Sequence, residues 1–172
     1  MLDLLFERRS IRKYKTTPVE QEKVDKLIKA ALLAPSSKGI RPWEFIVVED
    51  KDNLNKLSMS KPHGSTFLCG AALGIVVIAD TTKNDVYIED TSIASVIIQL
   101  QAEAMGLGSC WIQIRNRMHD DKVTAEEYIR EILAIPENYS VEAIISIGYP
   151  DESKRAYEES KLKYDKIHRE KF

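Results

Sequence analysis

The chain has 172 residues, 44% of them apolar and 30% charged, with a formal net charge of −2. That size and balance suit one folded domain with a real core; they exclude a disordered chain and a globally basic nucleic-acid binder. The longest apolar runs, such as AALGIVVIA at 71–79, are too short to cross a bilayer, MLDLLFERRS lacks the order of a signal peptide, and two cysteines cannot build a disulfide framework, so a soluble cytoplasmic protein with no membrane or nucleic-acid partner is expected.

In chain order, residues 2–8 have helical spacing, with Leu2, Leu5 and Phe6 on one side, and RRSIRKYK interrupts them. Thr17-Pro18-Val19-Glu20 reads as a helix start, with Thr17 as cap, Pro18 in the first turn and Glu20 completing a capping box. Val24, Leu27, Ile28 and Ala31 then share a face, and the helix ends before Pro35. WEFIVV (43–48) is a strand; 52–57 is a short polar helix or turn, 60–66 a loop, and 67–72 a short helix. Ile75–Ala79 is a continuous β-branched run, as in a strand covered on both faces. Residues 88–107 form the longest helix, with Ile93, Val96, Ile97, Leu100, Ala104 and Leu107 at a 3.6-residue period and further apolar residues on its other faces. A helix apolar nearly all round needs a large cover, and in a chain this small a partner subunit is the expected one. SCWIQI (109–114) is a strand, 125–134 an amphipathic helix stopping at Pro136, and VEAIISI (141–147) a last strand. The tail 151–172 carries seven Lys/Arg and six Asp/Glu with few apolar anchors, so it is read as extended. One domain over 1–172 results, α+β rather than doubly wound.

Several clusters carry chemistry, each with a plainer reading beside it. Arg8, Arg9, Ser10 and Arg12 place guanidinium forks and a hydroxyl where a phosphate would neutralise them; equally, they are the cations of a solvated helix end. Pro35, Ser36, Ser37 and Gly39 form an irregular loop whose hydroxyls and N–H groups can meet a polar ring edge, or an ordinary helix stop. Arg41 is either set beside an electron-rich ring or simply exposed, while Trp43 starts a core strand. In Gly106-Leu107-Gly108-Ser109 the glycines let backbone donors face a ligand, or cap a helix. This stretch closes a helix rather than opening one after a strand, so it is not a dinucleotide fingerprint. His63, His119 and His168 have no metal-ligand spacing, no GxSxG occurs, and Cys69 and Cys110 read as small buried hydrophobes.

The order of these stretches says more than any one of them. RRSIRKY, VEQEKVDKLIKAALLAPSS, RPWEFIVV, DTSIASVIIQLQAEAMGLGSCWI and AIISIGYP, spread over roughly residues 5–164, resemble the nitroreductase family of FMN proteins. The resemblance implies a central, mainly antiparallel sheet in an intertwined homodimer with FMN at the interface. It further implies that Arg8, Arg9, Ser10 and Arg12 hold the phosphate and ribityl chain, that Pro35, Ser36 and Ser37 reach the flavin from the other subunit, and that Gly108 and Ser109 sit at the isoalloxazine edge. A basic tail residue, Lys161 or Lys163, is expected to return to the phosphate. Gly39 and Arg41 depart from the asparagine and glutamine of many members, which alters the contacts expected at the ring's pyrimidine edge. The implied activity is hydride transfer from NADH or NADPH through FMN to a nitroaromatic, quinone or other small acceptor, by a ping-pong cycle without an obligatory acid or base. The alternative is an FMN carrier or sensor that does not turn over, and a third reading makes the arginine stretch a docking patch for an acidic partner.

Overall fold

The computed structural model describes all 172 residues. The elements are α1 (Leu2–Glu7), α2 (Gln21–Leu32), β1 (Trp43–Val48), α3 (Lys51–Ser58), β2 (Leu73–Asp80), α4 (Tyr87–Ala104), β3 (Gly108–Gln113), α5 (Ala125–Leu133) and β4 (Tyr139–Gly148). The strands form one sheet in the order β1-β2-β4-β3, antiparallel throughout. No helix is long and apolar enough to cross a membrane.

Strand β2 is buried along its whole length, as its unbroken β-branched run foretells. Its side chains alternate with the pleat. Leu73, Ile75 and Val77 pack with Val24, Leu27 and Ala31 of α2 and with Ile98 and Ala102 of α4. Val76 and Ile78 face Leu54 and Leu57 of α3 and Ile129 of α5. The sheet is thus a middle layer between α2/α4 and α3/α5. A bulge skips Glu142, pairing Val77 with Ala143 but Ile78 with Val141. It lets Val141 and Ile144, three residues apart, serve the same face. Glu142 is buried and paired with Arg115 Nε at 2.9 Å.

Helix α4 departs from a simple apolar-inside pattern. Its inward face is made mostly of small or hydroxylated residues, Thr91, Ala94, Ser95 and Ala102, with Ile98 the one large apolar side chain among them. Their size lets the helix lie close to the sheet. The inward hydroxyls are satisfied locally: Thr91 Oγ1 donates to Tyr87 O at 2.7 Å and Ser95 Oγ to Thr91 O at 2.8 Å. The larger periodic stripe points outward, with Ile93 42% and Val96 46% exposed. In the single chain this stripe is uncovered except where α1 lies beside it, with Leu4 next to Ile97, Leu100 and Ala104.

Three expectations need correction. Helix α2 starts at Gln21 rather than near Pro18, and no capping box forms there. Val19 is drawn into the core, and the Glu20 carboxylate accepts from Tyr149 Oη at 2.7 Å instead of capping. The capping box occurs at α5, between Thr124 and Glu127. Cys69 is exposed at the end of the short 3-10 turn Thr66–Gly70, so only Cys110 behaves as a buried thiol. Beyond β4 the tail holds only two 3-10 turns, Glu159–Lys161 and Tyr164–Lys166, and is largely exposed.

Candidate active site

The arginine stretch lies in the gap between α1 and α2 and is built into the sheet's end. Ser10 bridges Ser109 in parallel, and Ile11 N–H donates to Ser109 O at 3.0 Å. Lys15 N–H donates to Tyr149 O at 2.8 Å. Tyr14 is buried, with its hydroxyl donating to Ile11 O at 2.6 Å and 2.7 Å from Ser146 Oγ. Burial pushes this phenol well above its ordinary range, so it stays a neutral strut.

The side chains of the stretch diverge. Arg9 donates to the carbonyl of Arg155 and lies over the Tyr157 ring, 4.7 Å from its centroid. Arg12 lies over Phe67 at 5.7 Å. Arg8 makes no side-chain hydrogen bond within the chain. None of the three is ion-paired to a carboxylate, although Glu20, Glu22, Asp80, Glu142, Glu152 and Glu158 all hold lysine or arginine partners elsewhere. The cations also reach inward: burial pushes the Cys110 thiol up, and Arg12, Lys154 and Arg8 oppose that shift. Burial likewise raises the Glu103 carboxyl, against the pull of Arg8.

Both glycines after α4 have identifiable work. Gly106 takes φ +73° and donates to Glu103 O, while Leu107 N–H donates to Ala102 O, a Schellman stop. At Gly108 a Cβ would lie 2.8 Å from the side chain of Ile11. Gly108 therefore admits the arginine stretch against β3. Ser109 is buried and its Oγ has no partner. A cleft of about 300 Å³ opens beside Gly106, Leu107 and Gly108, lined also by Glu7, Arg9, Glu103, Glu152 and Lys154.

The proline-serine loop is at the other end of α4. Ser37 N–H donates to Asp90 Oδ1 at 2.8 Å, and Asn84 Nδ2 donates to Asp90 Oδ2 at 3.0 Å. Ser36 Oγ accepts from Arg41 N–H at 2.8 Å. Lys38, Gly39 and Arg41 all have φ between +51° and +67°, a strained conformation for the two non-glycine residues. Pro35, Gly39 and Arg41 are exposed. Asp90 and Ala104 are about 21 Å apart along a helix rising 1.5 Å per residue, so one chain does not bring the loop to the arginines.

The tail returns to the arginine stretch earlier than sequence reasoning placed it. Lys154 Nζ donates to Ser10 O at 2.7 Å, and Tyr157 N–H donates to Phe6 O at 2.8 Å. Lys161 and Lys163 are exposed, and their side chains make no hydrogen bond or ion pair within the chain. In sequence Lys154 sits among charges of both signs in DESKR, where nothing but position sets it apart.

Comparison with known proteins agrees with this layout. The nitroreductase family profile matches residues 5–62 and 59–149. A solved FMN-dependent nitroreductase of Clostridium difficile R20291 is 61% identical, covers 100% of both chains and superposes with a TM-score of 0.99. A protein of Archaeoglobus fulgidus, provisionally named NADH dehydrogenase/NAD(P)H nitroreductase, is 39% identical over 99% of this chain and 98% of its own. An NADPH-flavin oxidoreductase of Vibrio harveyi is 27% identical over 88% of this chain and 66% of its own. With the antiparallel sheet, the arginine stretch joined to β3 and matches along the whole length, the chain belongs to the nitroreductase family.

Proposed function

We propose that this protein is an FMN-dependent oxidoreductase that takes hydride from NADH or NADPH and reduces a small acceptor such as a nitroaromatic or a quinone, working as a homodimer. The observation that carries the reading is the set of cations at the end of β3: Arg8, Arg9 and Arg12, none ion-paired to a carboxylate, with the Ser10 hydroxyl and Lys154 beside them. This donor set fits a phosphate monoester, because guanidinium forks and an ammonium match its oxygens in charge and geometry. The FMN-dependent relative at 61% identity supports the same cofactor.

Bound FMN would supply two-electron redox chemistry between the nicotinamide and the acceptor. The chain's own part is to bind and orient. Arg8, Arg9, Ser10, Arg12 and Lys154 hold the anionic end, while Gly108 and Ser109 sit at the isoalloxazine edge. The loop Pro35, Ser36, Ser37, with Gly39 and Arg41, comes from the second copy. A two-fold contact between outward α4 stripes, running antiparallel, brings the start of one helix to the end of the other. It covers Ile93, Val96 and Ile97 and closes the distance that one chain leaves open. Lys161 and Lys163 act only across that contact.

An absorbance spectrum of the purified protein should show bound flavin, and anaerobic NADH or NADPH should bleach it. Reoxidation by nitroaromatics or quinones, faster than free FMN achieves, completes the test. A flavin that stays oxidised under reduced nicotinamide identifies a carrier or sensor instead. A colourless protein that ignores added FMN removes the cofactor from the account.

A further inference from the structure

The first residues of the tail carry a carboxylate to which no step of the proposed reaction gives work. Glu152 Oε1 accepts from Arg12 N–H at 2.5 Å and from Lys13 N–H at 3.2 Å. The same oxygen lies 3.6 Å from Lys154 Nζ, which donates to Ser10 O. Asp151 N–H donates to Lys13 O at 2.9 Å. One edge of the arginine stretch is thus tied to β3 through Ile11 and Ser109, and the other to residues 151–154. Glu152 acts in place of a strand on that second edge, because one carboxylate oxygen collects two consecutive N–H groups and the tail lysine. It is also largely shielded, with 20% of its side chain exposed. The Arg12 N–H holds its carboxyl below the usual range, so it is ionised at neutral pH.

We propose that Glu152 is a positioning residue for mononucleotide binding: it locks Ser10, Arg12 and Lys154 into one register and so sets the phosphate cradle. The inference rests on the FMN reading above. The sign of its effect separates it from plain electrostatics. A carboxylate close to a phosphate site repels the dianion, so a mere neighbouring charge would weaken FMN binding, and its removal would tighten it. A positioning role requires the opposite. Without Glu152 the two N–H groups lose their acceptor and Lys154 loses its counter-ion, so the Arg12 backbone and the Lys154 ammonium are no longer held in register.

The experiment compares FMN with riboflavin, which lacks the phosphate, by quenching of flavin fluorescence on titration with apo-protein. Wild type, Glu152→Ala and Glu152→Gln are measured side by side. In Glu152→Ala we expect the FMN dissociation constant to rise about tenfold or more while that of riboflavin moves by less than about twofold, as follows from losing charge-assisted hydrogen bonds that act only on the phosphate end. Glu152→Gln, which keeps an acceptor oxygen, falls between, and it carries the test if the alanine variant does not fold. Trypsin cleavage at Lys154 and Arg155 should also be faster in the variants. FMN affinity that is unchanged or higher in both variants overturns the proposal. So does a parallel loss for FMN and riboflavin, which marks general destabilisation. A wild type with no preference for FMN over riboflavin sinks the FMN reading itself, and is seen before any variant is made.

Discussion

At Gly108 a single methyl group would sit 2.8 Å from Ile11, closer than packed carbons tolerate. Gly108→Ala should push the arginine stretch off β3. Overpacking of this kind costs about 1–3 kcal/mol, to be read from denaturant midpoints, and FMN affinity should fall with it. The arginines themselves should act on binding rather than on folding, since neither Arg8 nor Arg12 is ion-paired in the chain. Arg8→Ala combined with Arg12→Ala should weaken FMN by about 3 kcal/mol or more, because each charge-assisted bond contributes about 1.5–3 kcal/mol. A titration giving wild-type affinity in that double variant would contradict the phosphate role. Residue type made RRSIR legible as a basic cluster able to meet an anion. It did not show that Arg9 turns to the tail while Arg12 turns to Phe67, because such choices depend on neighbours distant in sequence.

Among the elements, α4 connects the two halves of the site. Asp90 near its start holds the Ser37 backbone, and its Schellman stop delivers Gly108. In the proposed dimer its outward stripe would form the contact with a second copy. Ile97 is only part-buried within one chain, so lysine there can extend to solvent along its stem. Ile97→Lys should therefore leave the fold intact by circular dichroism, give a monomer by size exclusion and lose FMN, because each site then lacks its second loop. A flavin-loaded dimer carrying this lysine would show that the stripe is not the contact. The long apolar helix with Gly106 at its end, the Pro35 stop after α2 and all four strands could be read from periodicity and turn residues. The start of α2 could not. Thr17-Pro18-Val19-Glu20 has the form of a capping box, yet Tyr149, 129 residues away, takes the Glu20 carboxylate.

At the scale of the molecule, FMN bound only by the folded protein should stabilise it by mass action. At a free concentration 100 times its dissociation constant the gain is about 2.7 kcal/mol, or about 5–10 °C in Tm for a chain of this length. Differential scanning fluorimetry of flavin-free and flavin-loaded protein checks this. Equal melting temperatures would show that the flavin is not held by the folded state. If the second copy binds as proposed, the melting temperature should also rise with protein concentration.

Local patterning by itself determined the α+β class, the strand positions, the uncovered helix and the basic cluster. Each follows from residue spacing and type within a window of a few turns. Only the tertiary structure decided which face of α4 is inside, why Gly108 is a glycine, and that Lys154 with Glu152 forms the tail's junction with the arginines. Those outcomes depend on groups as far as 144 residues apart meeting in the fold, and a short window of sequence carries no record of that meeting.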